Sequence, residues 1–295
     1  MTSANDLHLY ERRGDYIPRV AAVHDLCGYG KCSLGVAIPV LSAAGCDVCP
    51  VPTGLFSSHT AFPGWYMHDT TSIMEDYTNA WKSIEVEIDA VYSGFLGAPE
   101  QVDRIRDLYA TYPNALRVVD PVMADHGKVY PTYTPELCDA MAELAAGADI
   151  LTPNLTEAAI ILGEPIGDDW CGTDISDAEA ARMIDALVAK GAKHVVLKGI
   201  QREGESIIRN FVGGVDCDMF EAANEYLPYM LHGTGDLYCS CLMAAVMAGR
   251  SIRDAVVFAG DFTHDAMIVS AKQPDFKNRG VSFEPLLGKV AELLG

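Results

Sequence analysis

The sequence predicts an α/β fold, with a central, mostly parallel sheet covered by helices on both faces. Three observations predict it. Short apolar runs alternate along the chain with longer segments of helical spacing, the pattern of strand–helix–strand units. Runs such as "HVVLKG" (194–199) are apolar nearly throughout, as suits strands buried on both faces. The predicted strands also end on polar or glycine residues: Asp25, Thr53, Gly94, Asp120, Thr152–Pro153–Asn154 and Lys198–Gly199. In open α/β sheets ligands gather beyond the carboxyl ends of the strands, so this row marks one edge as a site.

Taken in order, "RVAAVH" (19–24) reads as a buried strand, and "SLGVAIPVLSAAG" (33–45) as a helix closed by Gly45. "CDVCPVPT" (46–53) is the next strand. The stretch 54–68, rich in aromatics, glycine and proline, reads as an irregular flap over the site or a dimer contact, and 70–86 as a helix. "DAVYSG" (89–94) is a strand, and 98–113 a helix begun near Pro99. Strands at 116–120 and 148–153 alternate with helices at 134–147 and 154–163. A helix at 176–190 precedes the strand 194–199. "ESIIRNFVGG" and "DCDMFEA" form an antiparallel hairpin at one sheet edge. Segments 235–249, 251–271 and 283–294 read as helices. No internal repeat or long linker divides the chain. The expectation is a loosely held N-terminal extension over 1–18 and a single domain over 19–295.

Composition narrows function. With 21 Lys and Arg against 41 Asp and Glu, the net charge is −20, which argues against nucleic-acid binding by a broad basic face. No apolar run reaches the roughly 18 residues of a membrane span. The polar start lacks the apolar core of a secretory signal. The expected location is therefore the cytoplasm, without a membrane partner. The nine cysteines then read as reduced thiols. Cys46 and Cys49 are three apart on a strand and face opposite ways, and Cys239 and Cys241 do not meet on a helix, so both pairs read as packing.

"LHGTGDLYCSCLMAAVMAG" (231–249) carries the strongest chemical signal. Gly233 and Gly235 allow a tight turn, and the following helix presents free N–H groups and its positive dipole end to an anion. Asp236 falls in the first turn, where the dipole is expected to keep it ionised. An anion cradle beside a carboxylate base is what phosphoryl transfer needs. The bland alternative is a helix cap with Thr234 as N-cap. "GYGKCS" is not a Walker A loop, because Asp25 and Cys32 stand where that pattern requires a glycine and a Ser or Thr.

"HGTGD" before an apolar helix resembles the anion-hole motif of the ribokinase-like kinases. "AVHDLCGYGKCSLGVAIPVLSAAGCDVCPVPTGLFSSHT", "SGFLGAPEQ", "VVDPVMAD", "GKVY", "LTPNLTEA", "VVLKG" and "GTGD" follow one another as in pyridoxal (vitamin B6) kinases, over about residues 19–271. The likeness is greatest to the bacterial pyridoxamine/pyridoxal kinase branch. It implies a ribokinase-like three-layer sandwich, ATP as co-substrate, magnesium, and a homodimer; the sequence leaves a potassium requirement open. It implies that Asp236 is the base for the substrate hydroxymethyl group, with the backbone of Gly233, Thr234 and Gly235 as anion hole. It assigns Asp120, Thr152, Asn154, Lys198 and Thr234 to the nucleotide and its phosphates, and Asp120 and Glu157 to the metal. Asn154 and Glu157 are equally spaced as N-cap and N3 of a capping box. It assigns Thr53, Phe95, His59, Tyr29 and Asp25 to the pyridine pocket. Asp25 departs from the serine common at that position, which puts the vitamer preference in doubt. Phe95 also reads as core, and His59 as a residue that orders its loop.

The reaction implied is ATP-dependent phosphorylation of the 5′-hydroxymethyl group of pyridoxal, pyridoxamine or pyridoxine. The alternatives are a hydroxymethylpyrimidine or sugar kinase with the same chemistry, and a non-catalytic carrier of B6 vitamers.

Overall fold

The computed structural model describes residues 6–166 and 174–295. Residues 1–5 of the predicted extension, and Cys171, lie outside the described residues. The elements are β1 (Arg19–Cys27), α1 (Leu34–Ala43), β2 (Asp47–Phe56), β3 (Met67–Asp69), α2 (Thr71–Ser83), β4 (Ala90–Ser93), α3 (Pro99–Thr111), β5 (Leu116–Val119), β6 (Ala124–Asp125), β7 (Lys128–Val129), α4 (Pro135–Ala145), β8 (Ile150–Leu151) and α5 (Leu155–Leu162). They continue with α6 (Asp177–Ala189), β9 (His194–Gln201), β10 (Ile207–Gly214), β11 (Cys217–Glu225), α7 (Thr234–Met247), α8 (Ile252–Ser270), α9 (Phe276–Arg279) and α10 (Leu287–Ala291).

The main sheet has nine strands in the order β11-β10-β9-β8-β5-β4-β1-β2-β3. From β9 to β2 neighbours run parallel, while β3 and the β10–β11 hairpin add antiparallel edges. Successive strand residues feed opposite cores, as the period of two requires. Ala21, Val23, Val91, Val119, Leu151 and Val195 pack with helices α3 to α6. Val20, Tyr92, Val118, Ile150 and Val196 pack with α1, α7 and α8. Every residue of α7 from Leu237 to Met247 is buried, so the helix behind the glycine–threonine–glycine turn is central rather than amphipathic.

Several expectations change. The strand read as 19–24 continues through Asp25 to Cys27, and the one ending at Thr53 continues to Phe56. Between His24 and Leu26 the register shifts, so that Thr53 and Gly54 oppose Asp25 alone. Such a bulge re-aims side chains without ending the strand. The flap read over 54–68 is therefore strand at its start, and Met67–Asp69 pairs back on Gly54–Phe56. The hairpin β6–β7 and the short helix α9 were not foreseen. The segment 283–294 divides into 3-10 turns on either side of α10.

The expected loose extension is tied down over its described part. Leu7, Leu9 and Tyr10 pack on the α7–α8 core, Ile252 N donates to Leu7 O (2.8 Å), and Arg12 donates to the carbonyls of Ala44 and Gly45 (both 3.0 Å). Among the described residues no helix is long and apolar enough to cross a membrane.

Candidate active site

The carboxyl ends of β1, β4, β5, β8 and β9 and the start of α7 converge. Gly233 caps α7 with φ 81°, and a Cβ there would meet the Lys31 carbonyl oxygen at 1.8 Å, so only glycine fits. This corrects the cap reading. Gly233, not Thr234, holds the N-cap, and the Thr234 hydroxyl donates back to Leu231 O (3.1 Å). The first N–H groups of α7 have no partner within the helix.

Asp236 lies in the first turn as expected, with Oδ1 buried and unpartnered. Its ionisation differs from the dipole argument. Burial, with a further push from Asp120 and Asp25, raises its carboxyl to about 7, against a lowering by the Ser33 backbone N–H and Lys198. Desolvation outweighs the helix dipole because the carboxylate has given up its water.

Across the turn, Asp120 is wholly buried. Its Oδ1 accepts from Lys198 Nζ (2.5 Å) and Thr152 Oγ1 (2.9 Å), while Oδ2 is buried with no partner. Burial alone would lower the Lys198 ammonium, but Asp120 and Glu157 outweigh it and raise the pKa. A Cβ on Gly235 would lie 3.8 Å from Lys198 Nζ, so the ammonium reaches the anion turn. Asn154 bridges Lys198 through the backbone and caps α5. The predicted capping box is present: Glu157 N donates to Asn154 Oδ1 (2.9 Å), and Asn154 N to Glu157 Oε2 (2.8 Å). Glu157 Oε1 accepts from Met123 N (3.4 Å), and burial pushes the carboxyl up. Each Glu157 oxygen thus accepts from backbone, while Asp120 Oδ2, on the carboxylate that holds Lys198, is buried without a partner among the described residues. Among the described residues no group of three or more His, Cys, Asp or Glu side chains forms a metal cage. Magnesium, which keeps several waters and takes one or two carboxylates, fits a site with the single open oxygen of Asp120.

The residues expected around the pyridine ring come from β1, β2 and the segments that follow them and β4. Asp25 is buried beside Ser33, and burial raises its carboxyl to about 6, partly offset by the Ser33 hydroxyl. Thr53 is buried, and its hydroxyl donates to Phe95 O (2.8 Å). Phe95 packs edge-on to Phe56 (5.6 Å) and Tyr133 (5.8 Å), and so is core as well as wall. Tyr29 is exposed and leans on Phe62 (5.3 Å). His59 shares a hydrogen bond with Asn278 O (2.7 Å) and stacks on His232 (4.3 Å), tying the flap to the segment before Gly233.

Sequence reasoning missed Gln101. This wholly buried side chain accepts from Gly97 N (2.8 Å) and donates to Thr53 O (2.8 Å) and Thr71 Oγ1 (2.8 Å). It thereby joins β2, the loop after Phe95 and the start of α2. The signal was its spacing with Ile105 and Leu108, which puts a polar group on the apolar face of α3.

A cation–carboxylate pair and a glycine turn at the head of a buried helix are thus gathered at the strand ends. The model of the family described as phosphomethylpyrimidine kinase matches residues 39–280. The chain belongs to that family. Its curated relatives include a pyridoxal kinase PdxY of Haemophilus influenzae, 30% identical, with 70% of this chain and 73% of the relative covered. A Bacteroides thetaiotaomicron protein described as a phosphomethylpyrimidine kinase, and crystallised with pyridoxal, superimposes with TM-score 0.87 at 32% identity over 93% of this chain and 96% of that one. A Leishmania donovani pyridoxal kinase solved with ADP and pyridoxamine, 20% identical, shares the fold with TM-score 0.81 over 92% and 95% of the chains. The fold of these kinases is the ribokinase-like sandwich expected from the motifs.

Proposed function

We propose that this family member transfers the γ-phosphoryl group of Mg-ATP to the 5′-hydroxymethyl group of a B6 vitamer. The observation that carries the reading is Asp236 Oδ1, buried and unpartnered at the head of α7 beside the Gly233–Gly235 turn. Asp236 Oδ1 takes the proton of the hydroxymethyl oxygen as that oxygen bonds the γ-phosphorus. The bond from phosphorus to the bridging oxygen breaks, and ADP leaves with the electron pair. The backbone N–H groups of Gly235 and its neighbours stabilise the equatorial phosphoryl oxygens. Lys198 and Thr152 hold Asp120, whose free Oδ2 is the oxygen suited to magnesium. Magnesium bound there would neutralise charge on the phosphates.

The vitamer ring lies between Asp25 and the Thr53–Phe95 wall. Asp25, half protonated near pH 6, pairs with the ring nitrogen or the 3-hydroxyl. The family's name keeps a second reading in view, a hydroxymethylpyrimidine as acceptor with the same machinery.

The experiment is a substrate panel with Mg-ATP and pyridoxal, pyridoxamine, pyridoxine, hydroxymethylpyrimidine or ribose, read by ADP release and by the phosphorylated product. Turnover on a B6 vitamer is the expected result. Turnover on the pyrimidine alone would keep the mechanism and remove the substrate assignment, and turnover on none would remove both.

A further inference from the structure

We infer that Arg279, with Lys31, forms an anion subsite on the acceptor side of the Gly233–Gly235 turn, and that it holds the phosphate of the phosphomonoester product. The inference rests on the kinase reading above and adds residues that reading does not use.

The segment after α9 is strapped to the anion turn. Val281 N donates to His232 O (3.0 Å), the residue before Gly233. A Cβ on Gly280 would meet His232 O at 2.8 Å and the Lys31 Cβ at 3.2 Å. Lys31, in turn, lays its carbonyl against Gly233. The backbone at Gly280–Val281 and at Lys31 therefore flanks the turn from two segments, which sets Arg279 and Lys31 beside it. Lys31 belongs to the loop that carries Tyr29 and follows Asp25, so the pair stands on the acceptor side; Lys198 and Asp120 stand on the other.

The charges are unusual for this chain. Lys31 is paired with Glu284, and its ammonium lies over the Phe283 ring (5.5 Å). Arg279 is a half-buried residue whose guanidinium has no ion pair or hydrogen bond among the described residues. The cation it acts on is Lys31, whose ammonium is lowered first by burial and then by Arg279. Acids outnumber bases 41 to 21 in the chain, yet among the described residues no carboxylate pairs with Arg279. Two like charges held together with one counter-ion leave an excess positive charge beside the turn. A phosphomonoester carries a charge of about −1.5 to −2 near neutral pH. A guanidinium meets such a group with two parallel hydrogen bonds. The unphosphorylated vitamer has no group for that fork, so the subsite acts on product rather than on substrate.

The test is direct binding, by calorimetry without nucleotide, of pyridoxal and of pyridoxal 5′-phosphate to wild type, Arg279→Gln and Arg279→Lys, each checked for folding by circular dichroism. The expected result is pyridoxal 5′-phosphate bound about tenfold more weakly by Arg279→Gln, pyridoxal changed less than about twofold, and partial recovery in Arg279→Lys. Equal weakening of both ligands, or an unchanged phosphate ester, overturns the inference. Should wild type bind neither compound, the vitamer reading falls, and a titration with inorganic phosphate still decides the subsite. Phosphate binding lost in Arg279→Gln supports it, and equal binding in both proteins overturns it.

Discussion

Lys198 Nζ stands 2.5 Å from Asp120 Oδ1 and leaves the other oxygen of that carboxylate buried and open. The pair is at once a structural ion pair and the holder of an open ligand position. Its two roles separate on mutation. Lys198→Met strands a buried carboxylate, which costs about 3–5 kcal/mol. A clear loss of thermal stability is expected by calorimetry, together with a raised KM for Mg-ATP. Unchanged stability would mean that Asp120 takes up a proton instead of staying charged.

The carboxyl of Asp236, raised to about 7, gives the reaction a pH signature. A base accepts a proton only when ionised, so kcat/KM for the vitamer should climb as pH rises through about 7 and fall on the acid side. Asp25, at about 6, adds to the acid fall if its charge pairs with the ring. A profile flat from pH 6 to 8 would show that proton removal by Asp236 does not limit the reaction.

Gln101 touches Thr53 O and Gly97 N, so it acts on substrate only by positioning the wall of the pocket. In Gln101→Ala the buried partners lose their hydrogen bonds, at about 1–3 kcal/mol each for a stranded group. The expected outcome in steady-state kinetics is a vitamer KM raised several-fold with the KM for ATP nearly unchanged. A purely structural role would move both together.

Much of the site was legible because its residues end apolar runs. Asp120, Thr152 and Asn154 follow buried strands at the edge where α/β sheets collect ligands, whereas Lys198 lies inside β9, which runs on past the expected end to Gln201; the structure brings all four together. The Asn154–Glu157 box was equally plain, because capping depends only on local spacing. What escaped depends on distant neighbours. Asp25 does not end its strand, because a bulge opposite Thr53 and Gly54 lets the strand run on. Sequence periodicity does not register such a bulge. Desolvation of Asp236 depends on what α7 is buried against, so the local dipole argument pointed the wrong way. Gln101 appeared only as an off-pattern polar residue, and Arg279 as one charge among many, until Gly280 was seen between Lys31 and His232.

The central claim is that Asp236 is the base of a phosphoryl transfer to a B6 vitamer. The most direct measurement is Asp236→Asn assayed with Mg-ATP and pyridoxal, alongside binding of pyridoxal to the same variant. The account predicts turnover lowered by about 10²–10⁴-fold with pyridoxal binding retained. Turnover within a few-fold of wild type, with binding intact, would contradict it.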